Sequence, residues 1–179
     1  MRNLALMLLR GDGIPKDISK GVKYLQMAAD NGNDDAMLGY GLMLCSGNGS
    51  FIHKNLKEAA KYLKKSADKG NLRAMSIYAD MLITGKGIPC NKKEAYKYFK
   101  NAADKGDDNA MYQVGRMLIL GDGITANKKE GLKYIETSAD CGNDTAKFTY
   151  GSMLQKNEGM NINKKKTNTF VNFSNLINN

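Results

Sequence analysis

A seven-residue segment occurs four times in this chain with little change, and it constrains the fold more than any other feature. The copies read MAADNGN, KSADKGN, NAADKGD and TSADCGN, and their aspartates are Asp30, Asp68, Asp104 and Asp140. These aspartates follow one another at intervals of 38, 36 and 36 residues. A fixed period in the thirties is typical of helical repeat proteins rather than of low-complexity sequence. The first interval is longer because two extra residues lie in the loop around Phe51, where an insertion is tolerated.

One repeat is predicted to contain two helices. In residues 72–107, apolar residues recur at helical spacing over 74–84, and GKGIP then ends the helix because two glycines and a proline cannot continue it. Asn91 followed by Glu94 predicts an N-cap with a capping-box partner, and Gly106 is placed to end the second helix. Each unit is therefore helix A, a Gly-x-Gly turn, helix B and a glycine stop.

The aligned copies share small and aromatic residues at fixed positions. Helix A contains an alanine at Ala36, Ala74, Ala110 and Ala146, and a small residue five positions later at Gly41, Ala79, Gly115 and Gly151. Helix B contains an aromatic position, Tyr24, Tyr62, Tyr98 and Tyr134, and a later alanine, Ala29, Ala67, Ala103 and Ala139. Small residues let neighbouring helices approach closely, so these positions are predicted to pack helices together rather than to bind a cofactor.

This pattern of Ala, Gly, Gly-x-Gly, Glu-Ala, Tyr and Ala-x-x-Gly resembles the Sel-1-like repeat, a relative of the tetratricopeptide repeat. Tyr replaces Leu before the helix A glycine, Leu replaces the helix A aromatic residue, and Tyr replaces the helix B Trp. The full copies are 34–71, 72–107 and 108–143, with a truncated first repeat at 1–33 and a degenerate repeat or cap at 144–179. The resemblance implies an all-α fold, one continuous right-handed α-α superhelix (a solenoid), and a role as a scaffold or adaptor.

Both ends of the chain depart from the repeat. Met1 aligns with Met37, so the chain begins inside a repeat, as expected of a fragment of a longer solenoid or of translation that starts at a repeat methionine. In the last copy, Asn157, Lys166 and Asn175 replace the turn Gly, the Glu and the Ala. A polar outer face suits a terminal repeat, so we expect a partly ordered cap there, with a frayed end as the alternative.

The net charge of +9 raises the possibility of a nucleic-acid partner. Only four of the 27 Lys and Arg residues are arginines, however, and bidentate recognition of phosphates and bases favours Arg. We therefore expect no specific nucleic-acid binding. Instead, a solvated basic face is predicted on helix B, at Lys23, Lys61, Lys97 and Lys133.

Nothing in the sequence predicts a membrane segment or secretion. No apolar run approaches the roughly 20 residues of a transmembrane helix, and the apolar start MRNLALMLL is too short for a signal peptide. The three cysteines occupy three different positions of the repeat, so they predict no disulfide framework. We expect a cytoplasmic monomer.

No constellation of residues predicts chemistry. His53 is the single histidine, and no Cys or carboxylate lies at ligand spacing from it, so no metal or cofactor is expected. The position of Cys45 is apolar in the other copies, so a small buried residue is the simplest interpretation of this cysteine. The repeated aspartate recurs at every junction between repeats, whereas a catalytic residue is expected at a single position of a chain. The chain is therefore predicted not to be an enzyme, with no catalytic residues.

One face of helix A differs between copies. At about 100° per residue, the shared positions fall on one arc and the variable positions fall together on the other side. That variable face is predicted to line the concave side and to bind a partner protein or peptide. Its candidate residues are Leu38, Leu42, Ser76, Asp80, Tyr112, Arg116, Phe148 and Ser152. The predicted function is a non-catalytic interaction scaffold, and the alternative is a regulatory segment of a larger protein whose activity lies outside this chain.

Overall fold

The computed structural model describes residues 1–47, 50–156 and 170–171, and these residues form nine α-helices. The helices are α1 (Arg2–Arg10), α2 (Ile18–Asp30), α3 (Asp34–Ser46), α4 (Leu56–Asp68), α5 (Leu72–Thr84), α6 (Lys92–Asp104), α7 (Asp108–Leu120), α8 (Lys128–Asp140) and α9 (Asp144–Gln155). Odd-numbered helices are copies of helix A and even-numbered helices are copies of helix B. The predicted all-α helical repeat fold is confirmed.

The last residue of each repeated segment starts the next helix A. The side chains of Asn33, Asn71, Asp107 and Asn143 accept hydrogen bonds of 2.7–3.1 Å from the backbone N–H groups three residues later. The glycine just before each of them has a positive φ, for example 102° at Gly70. Glycine adopts that conformation without steric strain. The seven-residue segment therefore ends one helix and caps the next.

The predicted N-caps of helix B are also confirmed. The side-chain oxygens of Asn55, Asn91 and Asn127 accept hydrogen bonds of 3.0–3.2 Å from the backbone N–H groups of Glu58, Glu94 and Glu130. Each glutamate carboxylate in turn accepts a hydrogen bond of 2.8–3.1 Å from the amide nitrogen of the same asparagine. The pair therefore satisfies one backbone donor in the first turn of each helix and fixes where that helix begins.

Small residues pack the two helices of a repeat against each other. A Cβ placed on Gly41 of α3 would lie 2.9 Å from Leu63 Cγ of α4. A Cβ placed on Gly115 of α7 would lie 2.8 Å from Ile135 Cδ1 of α8. Real Cβ contacts are not that short, so a side chain at either position would force Leu63 or Ile135 to move. The helix B alanines, Ala67, Ala103 and Ala139, are at most 3% exposed, and their predicted burial is confirmed.

The chain divides into two compact units, Met1–Tyr98 and Phe99–Asn179. In the second unit, Tyr150 and Phe170 pack edge to face with ring centroids 5.5 Å apart. Phe170 lies 36 residues after Tyr134, so it occupies the aromatic position of helix B in the last copy. The replacements at Asn157, Lys166 and Asn175, on which the predicted cap depends, lie outside the described residues.

Candidate functional site

Within the first unit, variable positions of helix A line a cavity of about 420 Å3. Leu38 and Leu42 of α3 contribute to its wall, together with Leu6 of α1 and Leu25 of α2. Leu38 and Leu25 are buried, whereas Leu6 and Leu42 are half-buried. The cavity therefore has an aliphatic floor that is only partly covered by the protein itself.

Arginine side chains surround this floor. Arg2 and Arg10 of α1 and Arg73 of α5 all line the cavity. Arg2 Nη2 forms an ion pair with Asp35 Oδ2 at 3.3 Å, and Asp35 Oδ1 accepts a hydrogen bond of 3.2 Å from the amide of Asn71. Arg10 and Arg73 are exposed, and neither has an ion-pair partner in the part of the chain that the structure describes. The rim thus carries an excess of positive charge.

Gly39 also lines the cavity, and the fold does not require a glycine there. A Cβ at this position would make an ordinary van der Waals contact, 3.6 Å from Leu25 Cδ2. The same position in later copies of helix A carries Ile77, Gln113 and Thr149. Glycine within a helix is less favourable than alanine by roughly 0.5–1 kcal/mol. The missing side chain enlarges the cavity without any packing benefit.

Two further candidate residues of the first unit lie on α5. Ser76 is half-buried, and its hydroxyl oxygen is buried without a hydrogen-bond partner among the described residues. Asp80 has an exposed side chain. Even so, partial desolvation raises the pKa of the Asp80 carboxyl above its usual value, and Lys86 opposes that shift. Both residues therefore place polar atoms on the variable face of helix A.

In the second unit, Tyr112 and Arg116 of α7 lie together, as their spacing predicts. The guanidinium carbon of Arg116 lies 5.8 Å from the centroid of the Tyr112 ring. The Tyr112 hydroxyl is 3.2 Å from Thr149 Oγ1, and the ring packs against the hydrophobic core of this unit. Arg116 also donates a 3.2 Å hydrogen bond to Gln113. This pair presents a cation and a half-buried aromatic ring on one helix.

The last two candidates, Phe148 and Ser152, lie on α9, and both are half-buried. Ser152 Oγ donates a hydrogen bond of 2.9 Å to the Phe148 carbonyl. The hydroxyl of Ser152 is therefore engaged within its own helix. Phe148 offers apolar surface on the second unit.

The helix B lysines and Cys45 can also be compared with their predicted exposure. The predicted basic face of helix B is exposed at all four lysines, Lys23, Lys61, Lys97 and Lys133, as expected. Cys45 is half-buried rather than fully buried, and desolvation raises the pKa of its thiol despite the opposing effect of Lys54.

No group of three His, Cys, Asp or Glu side chains suited to a metal occurs within 1–47, 50–156 and 170–171. Within the same ranges, no helix has the length and apolar character needed to span a bilayer.

Sequence reasoning missed part of the cavity. Arg2, Leu6 and Arg10 occupy variable positions of the truncated first copy, so the pattern that predicted Leu38 and Leu42 could have included them. The sequence contained only weaker indications that Gly39 and Arg73 belong to the cavity. Gly39 stands where later copies have larger side chains, and Arg73 is one of only four arginines in the chain.

The family model of the Sel1 repeat matches residues 1–33, 34–71, 72–107 and 108–143. The chain belongs to the Sel1 repeat family. Sel1 repeats generally act as scaffolds for protein–protein interaction and are generally not catalytic. No curated protein is significantly similar to this Sel1 repeat chain.

Solved structures of other proteins, two of them described as having Sel1 repeats or an SLR fold, have the same fold. A Sel1 repeat protein from Oxalobacter formigenes is 26% identical with a TM-score of 0.82, over 98% of this chain and 71% of that one. The protective antigen c5321 of uropathogenic Escherichia coli, which has an SLR fold, is 23% identical with a TM-score of 0.87. That match covers 98% of this Sel1 repeat chain and 37% of the antigen. The immunity protein PA5088 of Pseudomonas aeruginosa is 21% identical with a TM-score of 0.59, over 98% and 66% of the two chains.

Proposed function

We propose that this Sel1 repeat protein is a non-catalytic scaffold that binds a partner protein or peptide on the variable face of helix A. The observation that carries the proposal is the cavity of the first unit, which is lined by variable positions of α1 and α3. At shared positions of the same helices, Ala36 is fully buried and Gly41 packs against Leu63 of α4. Residues that differ between copies, such as the half-buried Leu42 and the exposed Asp80, are therefore available to a partner.

The residue types on this face support the same conclusion. Tyrosine and arginine are enriched among the residues that dominate binding energy at protein interfaces. Tyr112 and Arg116 provide such a pair on the second unit, and Phe148 adds apolar surface there. On the first unit, Leu42 and Asp80 offer an apolar and an acidic contact. We propose that Leu38, Leu42, Ser76, Asp80, Tyr112, Arg116, Phe148 and Ser152 contact the partner.

We further propose that the protein acts as a cytoplasmic monomer without sequence-specific nucleic-acid binding. The odd, unpatterned cysteine count supports a reducing compartment. The exposed helix B lysines support only weak, salt-sensitive attraction to nucleic acid. The alternative function is that of a regulatory segment of a larger protein, in which case the same face would bind another part of that protein.

The test uses affinity capture with charge variants of exposed residues. Wild type, Asp80→Arg, Arg116→Asp and Lys97→Glu would be used as baits, and captured proteins identified by mass spectrometry. We expect a partner that wild type and Lys97→Glu retain and that Asp80→Arg or Arg116→Asp loses. Calorimetric titration with the purified partner would then measure the change in Kd. A partner lost only with Lys97→Glu would show that the helix B lysines form the binding surface and would contradict the proposal.

A further inference from the structure

We infer that the cavity of the first unit binds an acidic peptide, which inserts one aliphatic or aromatic side chain between Leu6, Leu38 and Leu42 and pairs its carboxylates with Arg10 and Arg73. This inference rests on the proposed function and specifies the class of partner at one place on the helix A face. It follows from the size of the cavity, the glycine in its wall and the distribution of charge around it.

The size of the cavity suits a side chain of a peptide. Ligand-binding clefts typically enclose about 300–1,000 Å3, and this cavity of about 420 Å3 lies near the lower end of that range. Leu6 and Leu42 retain part of their surface in contact with solvent, while Leu38 is only 7% exposed. An apolar side chain of a partner would remove the remaining aliphatic surface from water, which is favourable by roughly 25 cal/mol per Å2.

Gly39 is the second observation. The packing around it leaves ordinary van der Waals room for a Cβ, unlike the packing around Gly41 two residues later. Other copies of the repeat fill the same position with Ile77, Gln113 or Thr149. The fold does not need a glycine at this position of the cavity wall. The absent side chain therefore leaves extra space for an inserted group of the partner.

The distribution of arginine is the third observation, and it identifies the charge of the partner. Three of the four arginines of the chain line this cavity, and no lysine does, although lysine is far more abundant in the sequence. A guanidinium group binds a carboxylate through two parallel hydrogen bonds, which an ammonium group cannot do. Arg2 already pairs with Asp35, whereas Arg10 and Arg73 have no ion-pair partner within the described residues. These two arginines are therefore the groups that would bind the carboxylates of a peptide.

The experiment selects short random peptides, displayed on phage, on the immobilised chain of 179 residues. Enriched peptides would be synthesised and titrated against wild type, the double variant Arg10→Gln/Arg73→Gln, Gly39→Leu and the control Lys97→Glu. We expect enriched sequences to combine Asp or Glu with Leu, Met or Phe. We also expect binding to weaken at least about tenfold with the double variant, because it removes two groups that form charge-assisted hydrogen bonds with carboxylates. Gly39→Leu should weaken binding as well, and Lys97→Glu should leave it unchanged.

The possible failures can be told apart. Enriched peptides that lack acidic residues, or that bind the double variant as tightly as wild type, would overturn this inference. If Arg116→Asp or Asp80→Arg then abolished their binding, the proposed scaffold function would stand and this cavity would not be the binding site. If no peptide were enriched, the inference would fail, and the affinity capture described above would decide the proposed function separately. Concentration-dependent dimerisation that Arg10→Gln/Arg73→Gln abolishes would show that a second copy of this chain, rather than an acidic peptide, occupies the cavity.

Discussion

The hydroxyl of Tyr62 donates a hydrogen bond of 2.6 Å to Asp30 Oδ1, 32 residues earlier in the chain. Tyr98 makes the same contact with Asp68, also at 2.6 Å. In both cases the tyrosine of one helix B binds the aspartate that ends the preceding helix B. The aspartate of the repeated segment therefore has a structural role at these two positions, because it links consecutive repeats.

Removing one of these hydroxyl groups is predicted to destabilise the protein. Tyr98→Phe keeps the ring, which packs edge to face on Tyr78 at 5.0 Å, and removes the hydroxyl that donates to Asp68 and that also interacts with Lys64. A hydrogen bond to a charged group contributes about 1.5–3 kcal/mol when buried. Because Asp68 is exposed, we expect a decrease of about 1 kcal/mol in the free energy of unfolding, measured by urea denaturation.

Tyr24→Phe is the matched control for that experiment. Tyr24 occupies the same position of helix B in the first copy. Its hydroxyl has no hydrogen-bond partner within the described part of the chain. An equal loss of stability in Tyr24→Phe and Tyr98→Phe would show that the contact with Asp68 contributes nothing.

Stability should depend on pH through Asp68. Burial raises the pKa of this carboxyl, but hydrogen bonds from Lys64 and Tyr98 outweigh burial and lower it below its usual value. A lowered pKa in the folded state means that the ionised form stabilises the fold. That contribution is fully present above the unfolded pKa of about 3.9 and is lost as the pH falls through the lower folded value.

The measurement is the free energy of unfolding as a function of pH for wild type and Asp68→Asn. The difference between the two proteins should be constant near neutral pH and shrink below about pH 4. Asp12→Asn serves as a control, because the Asp12 carboxylate makes no hydrogen bond or ion pair among the described residues. A difference that does not change on acidification would contradict the assigned role of Asp68.

Two glycines of α3 should respond in opposite ways to the same substitution. Gly39→Ala is expected to stabilise the protein by about 0.5–1 kcal/mol, because its position is helical and has room for a methyl group. Gly41→Ala is expected to destabilise it by about 1–3 kcal/mol, because the new methyl would press on the fully buried Leu63. Thermal denaturation of both variants tests this pair, and changes of the same sign would contradict it.

Overpacking a buried alanine of helix B should weaken the second unit. Ala139 is 2% exposed and lies in the core with Ile135 and Tyr150. Ala139→Leu is therefore expected to cost about 1–3 kcal/mol in urea denaturation. Thr137→Leu, on the exposed face of the same helix, should change stability by less than about 0.5 kcal/mol. Equal effects of the two variants would show that Ala139 is not tightly packed.

Local signals in the sequence were sufficient to predict the helices, the N-caps of helix B and the burial of the small residues. The hydrogen bond from Tyr62 to Asp30 was not predicted, because it joins residues 32 positions apart and depends on how consecutive repeats stack. Leu38 was expected on an available face but is largely buried. Helical periodicity gives the direction of a side chain, and it does not show how closely neighbouring helices cover it.

Tyr112 is a similar case. Its spacing from Arg116 correctly placed the two side chains together. Helical spacing does not reveal the contact between the Tyr112 hydroxyl and Thr149, because these residues are 37 positions apart. Because the ring also packs on the core, Tyr112→Ala should reduce stability as well as binding, and binding must be compared at equal folded fractions.

The connections between helices differ in how much change in length they can accept. Each segment from helix B to the next helix A has three residues, at 31–33, 69–71, 105–107 and 141–143, and its last residue is the N-cap. The segments from helix A to helix B have seven or nine residues, at 11–17, 47–55, 85–91 and 121–127. Among the connections between the described helices, the length therefore varies only in those that lead from helix A to helix B. For protein engineering, the junction between the exposed residues Ser50 and Phe51, ahead of the buried Ile52, is accordingly a position at which foreign sequence can be inserted. One residue added at 69–71 would instead change the spacing between the end of α4 and the N-cap Asn71 and shift the phase of every later repeat.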